Sequence, residues 1–243
     1  MIADFAYTLG RRLRWRGFDP RHRPNDEREQ AVLDNRDEWQ RARAESRGLG
    51  LPLHPDPPRA WDSALALSAV LRYTCPDDRI VDAGGEIHSV ILPALSLYGY
   101  RDLWAINSVF DRRRRRDSIR YEPGDATRTD WRDRSVDAIT CLGVLEHGFA
   151  AEALLREAAR LLRPGGVLVI SSDYWPEKIV HDMPIRIADR SELQAWTVRA
   201  SAHGLIATEP ATAALACTPA TPAIYRRRFG VGYTFALLTF RRC

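Results

Sequence analysis

The stretch that most constrains this chain is Arg79-Ile80-Val81-Asp82-Ala83-Gly84-Gly85-Glu86, a short apolar run that ends in a carboxylate and two glycines. Ile80 and Val81 suit a strand covered on both faces, while glycine lets the backbone turn sharply and come close to a ligand. The run predicts a buried strand feeding a tight loop, with a nucleotide-like cofactor as its natural guest. Because a glycine pair after a strand also makes a plain turn, the segments around it carry the argument.

Those segments alternate. Residues 61–73 have apolar side chains at helical spacing and precede the strand. A helix is expected over 90–98, then strands over 103–106, 119–121 and 136–141. A helix over 151–162 ends at Arg163-Pro164-Gly165-Gly166 and leads to a strand over 167–171. Residues 191–203 read as a helix with Ser191 as its N-cap, followed by strands over 205–208 and 233–240 that could pair antiparallel at the sheet edge. Strands alternating with helices imply a parallel sheet with right-handed crossovers. The expected architecture is α/β: a Rossmann-like, doubly wound, seven-stranded sheet, mostly parallel, with an antiparallel C-terminal strand.

At 243 residues the chain has room for one sizeable domain and a small appendage. Residues 1–58 are read as an N-terminal helical appendage and linker, and residues 59–243 as the domain. Within the first part, residues 1–16 resemble a basic amphipathic segment, expected to pack on its own domain or on a sister subunit of a homodimer. Residues 25–47 suggest a surface helix capped by Asn25, with Asp26, Glu27 and Glu29 in its first turn. Residues 48–58 hold four prolines and two glycines and read as a linker.

Composition excludes several classes. No segment reaches the roughly 20 apolar residues that span a bilayer. Cys75, Cys141, Cys217 and Cys243 are scattered and form no metal or disulfide pattern, which fits a reducing cytoplasm. The net charge of +4 is carried almost entirely by arginine, Lys178 being the only lysine. Arg112 to Arg116 form a run that could grip phosphate or RNA, though such runs are commonly solvated faces. Without an RNA-binding module or a repeated aromatic platform, no nucleic-acid partner is expected.

Three further stretches complete a pattern: Gly124-Asp125-Ala126; Ser135-Val136-Asp137-Ala138-Ile139-Thr140-Cys141 leading to Leu145-Glu146-His147; and Leu161-Leu162-Arg163-Pro164-Gly165-Gly166-Val167-Leu168-Val169-Ile170. With Asp82-Ala83-Gly84-Gly85, this order resembles the class I S-adenosylmethionine-dependent methyltransferases over about residues 60–240. The resemblance implies S-adenosylmethionine as cofactor. Gly84 and Gly85 would admit its methionyl part and ribose, Asp82 would fix the loop and attract its ammonium, and Asp125 with the Ala126 amide would read the adenine. Cys141 and Leu142 would line the methionyl side.

The chain also departs from that family. Glu86 and His88 stand where the loop usually has its second and third glycines, and Asn107 stands where an acid usually holds the ribose hydroxyls, with Asp111 and Glu86 as substitutes. For the chemistry, His147 is the candidate base for a hydroxyl acceptor, with the alternative that Glu146 and His147 only cap the following helix. Glu146, Asp173, Tyr174, Trp175 and His181 are the candidate acceptor-binding residues, favouring an aromatic or sugar-like substrate. Gly143 replaces the first glutamate of a metal site seen in some relatives, so no metal is expected. The implied activity is O-methylation of a small-molecule, natural-product or sugar/glycan acceptor. N-methylation, a protein that keeps the fold without methyl transfer, and RNA methylation are the alternatives.

Overall fold

The computed structural model describes residues 18–210 and 219–243. The amphipathic reading of residues 1–16 lies outside the described residues. Among the described residues ten strands form one sheet, eight on a single path and two short ones beside it: β1 (Gln30–Val32), β2 (Arg79–Ala83), β3 (Asp102–Asn107), β4 (Arg114–Arg116), β5 (Ile119–Pro123), β6 (Val136–Leu142), β7 (Leu162–Tyr174), β8 (Leu205–Ala207), β9 (Ile224–Arg226) and β10 (Val231–Arg242). The order is β1-β10-β7-β6-β2-β3-β5-β4, with β8 and β9 also on β10. β5, β3, β2, β6 and β7 run parallel, and β10 is antiparallel to β7. All seven expected strands are present, and β1, β4 and β9, three residues each, add to them.

Helices α1 (Arg36–Gly48), α2 (Ala60–Tyr73), α3 (Ile91–Leu97), α4 (Ala151–Leu161) and α5 (Arg190–Ala202) cover both faces. Successive strand residues point to opposite sides of a sheet, so Ile80 joins Trp61, Leu65 and Leu95 in one core while Val81 joins Leu154, Leu155 and Leu193 in the other. The sheet is therefore doubly wound, and the near-continuous apolar runs of β2, β6 and β7 reflect burial on both sides.

Two helix starts differ from expectation. The helix expected from Asn25 begins at Arg36: the Asn35 side chain accepts the Glu38 amide at 3.1 Å, and the preceding residues instead form β1, which pairs with Leu238, Leu237 and Ala236 of β10. The segment read as appendage thus contributes an edge strand to the sheet. Glu38 is buried and accepts the Trp61 indole N–H at 2.9 Å, which ties α1 to α2. In α5 the cap is Asp189 and not Ser191. Asp189 and Glu192 exchange hydrogen bonds in a capping box, which satisfies two end amides where Ser191 would satisfy one.

The arginine run is an edge strand. Arg114–Arg116 pair antiparallel with β5 through a tight turn in which Asp117 takes a φ of 57°. Arg113 bonds Glu122 at 2.7 Å and Arg114 bonds Asp111 at 2.7 Å. A row of charges on the outermost strand discourages edge-to-edge pairing with another chain. Among the described residues no helix is long and apolar enough to cross a membrane.

Candidate functional site

A cavity of about 650 Å³ opens at the carboxyl ends of β2, β3, β6 and β7, where doubly wound sheets bind ligands. One half is made by the loop after β2. Gly84 adopts a φ of 79°, and a Cβ there would lie 2.6 Å from the Val144 side chain. A Cβ on Gly85 would collide with the Asp82 carboxylate, so the loop can fold over Asp82 only without side chains. Asp82 accepts the Thr140 hydroxyl at 2.8 Å, and complete burial pushes its carboxyl up to about 7. Beyond the glycines the loop closes on itself, with the Glu86 amide donating to Ser89 Oγ at 2.9 Å and Glu86 facing His88 at 3.3 Å.

Asn107, at the end of β3, donates its side-chain amide to the Gly84 carbonyl at 2.7 Å, and its carbonyl accepts the Val109 amide at 3.1 Å. This side chain holds the glycine loop from outside while also lining the cavity.

The other half is a buried ionic cluster. Arg59, at the start of α2, donates Nη1 to Asp62 at 3.0 Å and Nη2 to Asp173 at 2.7 Å and to Glu146, with its guanidinium 4.0 Å from the Phe235 ring. Asp62 also accepts the Ser171 hydroxyl at 2.7 Å. Burial opposes the charge on Arg59, but Glu146, Asp62 and Asp173 outweigh it and hold the guanidinium pKa above its usual value. Asp173 is pushed well above the carboxylate range, by burial first and despite Arg59 beside it. Among the described residues, Asp62 Oδ1 and Glu146 Oε2 are buried with no hydrogen-bond partner. Among the described residues no group of three His, Cys, Asp or Glu is arranged to hold a metal ion; here Arg59 is the cation among the carboxylates.

His54, Asp56 and Arg226 also line the cavity. Asp56 donates its amide to His54 Nδ1 at 3.0 Å, and burial lowers the His54 pKa. Arg226 reaches Asp56 at 3.3 Å and the Tyr233 hydroxyl at 3.0 Å.

Of the residues expected from sequence, Asp82, Gly84, Glu86 and Asn107 line the loop half, and Leu142, Glu146, His147 and Asp173 line the rest. His147 is exposed and makes no hydrogen bond through its ring among the described residues. Others lie off the cavity. Cys141 and Tyr174 follow Thr140 and Asp173 in their strands and so point to the opposite face, into the core, where burial raises the Cys141 thiol. Asp125 is exposed and accepts the Thr127 amide at 2.8 Å in a local turn, with Ala126 packed in the core beside it. Trp175 packs on the core, and His181 accepts the Met183 amide at 3.2 Å. His54, Arg59, Asp62 and Arg226 are cavity residues that the sequence reading missed. The one available signal was the placement of Arg59 just after Pro57-Pro58, at a helix start.

Residues 101–170 match a family model described as a methyltransferase domain. No curated protein matches the chain. Among solved structures, the geranyl diphosphate C-methyltransferase of Streptomyces coelicolor in complex with S-adenosyl-L-homocysteine is similar, with a TM-score of 0.53 and 16% identity over 78% of each chain. A methyltransferase of Methanosarcina mazei, described as S-adenosylmethionine-dependent, has a TM-score of 0.52 and 13% identity, covering 72% of this chain and 96% of that one. The phosphoethanolamine N-methyltransferase 2 of Haemonchus contortus has a TM-score of 0.50 and 12% identity, covering 73% of this chain and 52% of that one.

Proposed function

We propose that this chain, which has the class I S-adenosylmethionine-dependent methyltransferase fold and a methyltransferase domain, transfers a methyl group from S-adenosylmethionine to a hydroxyl of a small-molecule, natural-product or sugar acceptor. The observation that carries this reading is the glycine loop folded over buried Asp82 at the mouth of a cavity large enough for cofactor and acceptor together. The bare backbone of Gly84 lines the cavity beside Glu86 and Asn107, and the loop keeps that course because Gly85 packs on Asp82 without a side chain. Gly84, Glu86, Asn107 and Leu142 would hold the cofactor, and once bound it supplies an electrophilic methyl group on a sulfonium.

The chain's own residues then align and deprotonate the acceptor. His147 sits on the cavity wall, its ring unbonded among the described residues, and takes the hydroxyl proton at a ring nitrogen as the oxygen becomes nucleophilic. Asp173 and Glu146 border the acceptor on the β6–β7 side. His54 cannot serve in the same way through Nδ1, because that lone pair already accepts the Asp56 amide.

Calorimetric titration with S-adenosylhomocysteine tests the cofactor assignment: binding in the micromolar range is expected, and no heat at millimolar ligand would leave a protein of this fold without methyl transfer. For the base, His147→Ala should keep that affinity and lose about 100-fold in turnover. Unchanged turnover assigns His147 a structural role.

A further inference from the structure

Parallel strands are ordinarily covered on both faces, and the β3–β5 pair is covered on one. Leu103, Ala105, Ile119 and Tyr121 turn to the side of α3 and join Ile91 and Leu95 in one core. Trp104 and Arg120, the alternate residues, turn to the other side, where α4 and α5 lie against β7 and β8 instead. The connection from β3 to β5 adds no helix there, because residues 108–118 carry the edge strand β4. An open cavity of about 480 Å³ occupies this face. Its lining includes Trp104, Trp131, Arg113, Arg115, Arg120 and Glu122, none of its lining residues belongs to a helix, and none is shared with the cavity at the glycine loop.

The face is a row of planar groups. Strand register sets Arg115 beside Arg120 and Arg120 beside Trp104. The Arg120 guanidinium lies 4.8 Å from the Trp104 ring, Trp104 meets Trp131 edge to face at 4.9 Å, and the Arg79 guanidinium lies 5.5 Å from the Trp131 ring. The aromatic platform that no repeat in the sequence announces is thus assembled from two distant tryptophans. The row is also under-neutralised. Asp102 is divided between Arg79 and Arg120, at 2.8 Å from each, and Glu122 takes Arg113 at 2.7 Å. Arg115 is exposed and donates Nε to the Asp117 carbonyl at 2.9 Å, and among the described residues no carboxylate pairs with it.

We propose that this face binds single-stranded nucleic acid, with bases stacked along the Trp104–Trp131 row and phosphates on Arg115 and its neighbours of β4. A single strand brings flat rings and negative charge together, and both aromatic rings and guanidinium planes serve as stacking surfaces for it. An acidic peptide would match the charge and leave the tryptophans unused. A second copy of this chain, docked through the same face, would set like charge against like. The face is separate from the methyl-transfer cavity, so the proposal goes beyond that activity and does not depend on it.

Fluorescence anisotropy on the full chain at low salt, with a labelled oligouridylate, tests it. The oligonucleotide should bind at least about tenfold more tightly than an abasic strand of the same length or a polyglutamate of the same charge. Arg115→Ser, a change at an exposed position, should weaken binding and reduce the slope of log affinity against log salt by about 0.7. Trp131→Leu should cut the preference over the abasic strand to about threefold or less. Saturating S-adenosylhomocysteine should change oligonucleotide affinity by less than about twofold. Equal binding of the abasic strand or of polyglutamate overturns the proposal, and that comparison needs no variant to fold. A salt slope unchanged in Arg115→Ser, or displacement of the strand by S-adenosylhomocysteine, places any binding elsewhere and overturns it as well.

Discussion

The two halves of the cavity are built in opposite ways. The loop half is a local device: one strand, two glycines and a carboxylate within Asp82–Ser89, braced from the next strand by Asn107. The cluster half is a long-range device, in which Arg59 meets Glu146 and Asp173 at sequence separations of 87 and 114. A local device depends on backbone shape, so it is sensitive to an added atom. An assembled one depends on charge balance, so it is sensitive to a removed group.

The largest expected effect is therefore at Arg59. Arg59→Leu leaves three buried carboxyl groups without their shared cation, and loss of one partner from a buried ionic network costs about 3–5 kcal/mol. For a chain of this size that is a fall in melting temperature of about 10 °C. A change within about 1 °C in a scanning calorimeter would show that the cluster contributes nothing to the fold.

Next in size is Gly85→Ala. Its new Cβ meets the Asp82 carboxylate, and overpacking of this kind costs about 1–3 kcal/mol. S-adenosylhomocysteine affinity should drop together with stability, whereas in Arg59→Leu, measured below its melting transition, affinity should be far less affected. If both variants lose affinity equally, the division of the cavity into a cofactor half and an acceptor half fails.

The third expected effect is a pH dependence. The folded-state pKa of Asp82 is raised to about 7, so between about pH 4 and about pH 7 the folded chain keeps a proton that the unfolded chain has lost. This group makes stability fall as pH rises through that window. Asp173, also raised, adds a slope of the same sign. Asp82→Asn should remove the Asp82 part, so its melting temperature relative to the unaltered protein rises from pH 4 to pH 7. A difference that stays constant with pH assigns the titration elsewhere.

The same contrast explains what could be read from the chain. Ile80-Val81-Asp82 and the run ending at Ile170 declare themselves because both faces of those strands are buried and the apolar pattern is continuous. β1 did not, since Gln30-Ala31-Val32 sits in a charged stretch and becomes a strand only through its pairing with β10. Asn25 and Asn35 are equally good caps on paper, and the buried Glu38 bound to Trp61 decides for Asn35. Arg59 was hidden at the end of a proline-rich segment that resembled a linker, because nothing local reveals partners on two distant strand ends. Strand alternation, applied at Thr140-Cys141-Leu142, does separate cavity from core, and it puts Cys141 in the core.

The most direct test of the divided cavity is a crystal structure of the chain with S-adenosylhomocysteine. The account predicts its nucleoside against Gly84, Glu86 and Asn107, its sulfur turned toward Leu142, and the space before Glu146, Asp173 and His147 left for the acceptor. A cofactor lying across Glu146 and Asp173, or bound outside this cavity, would contradict it.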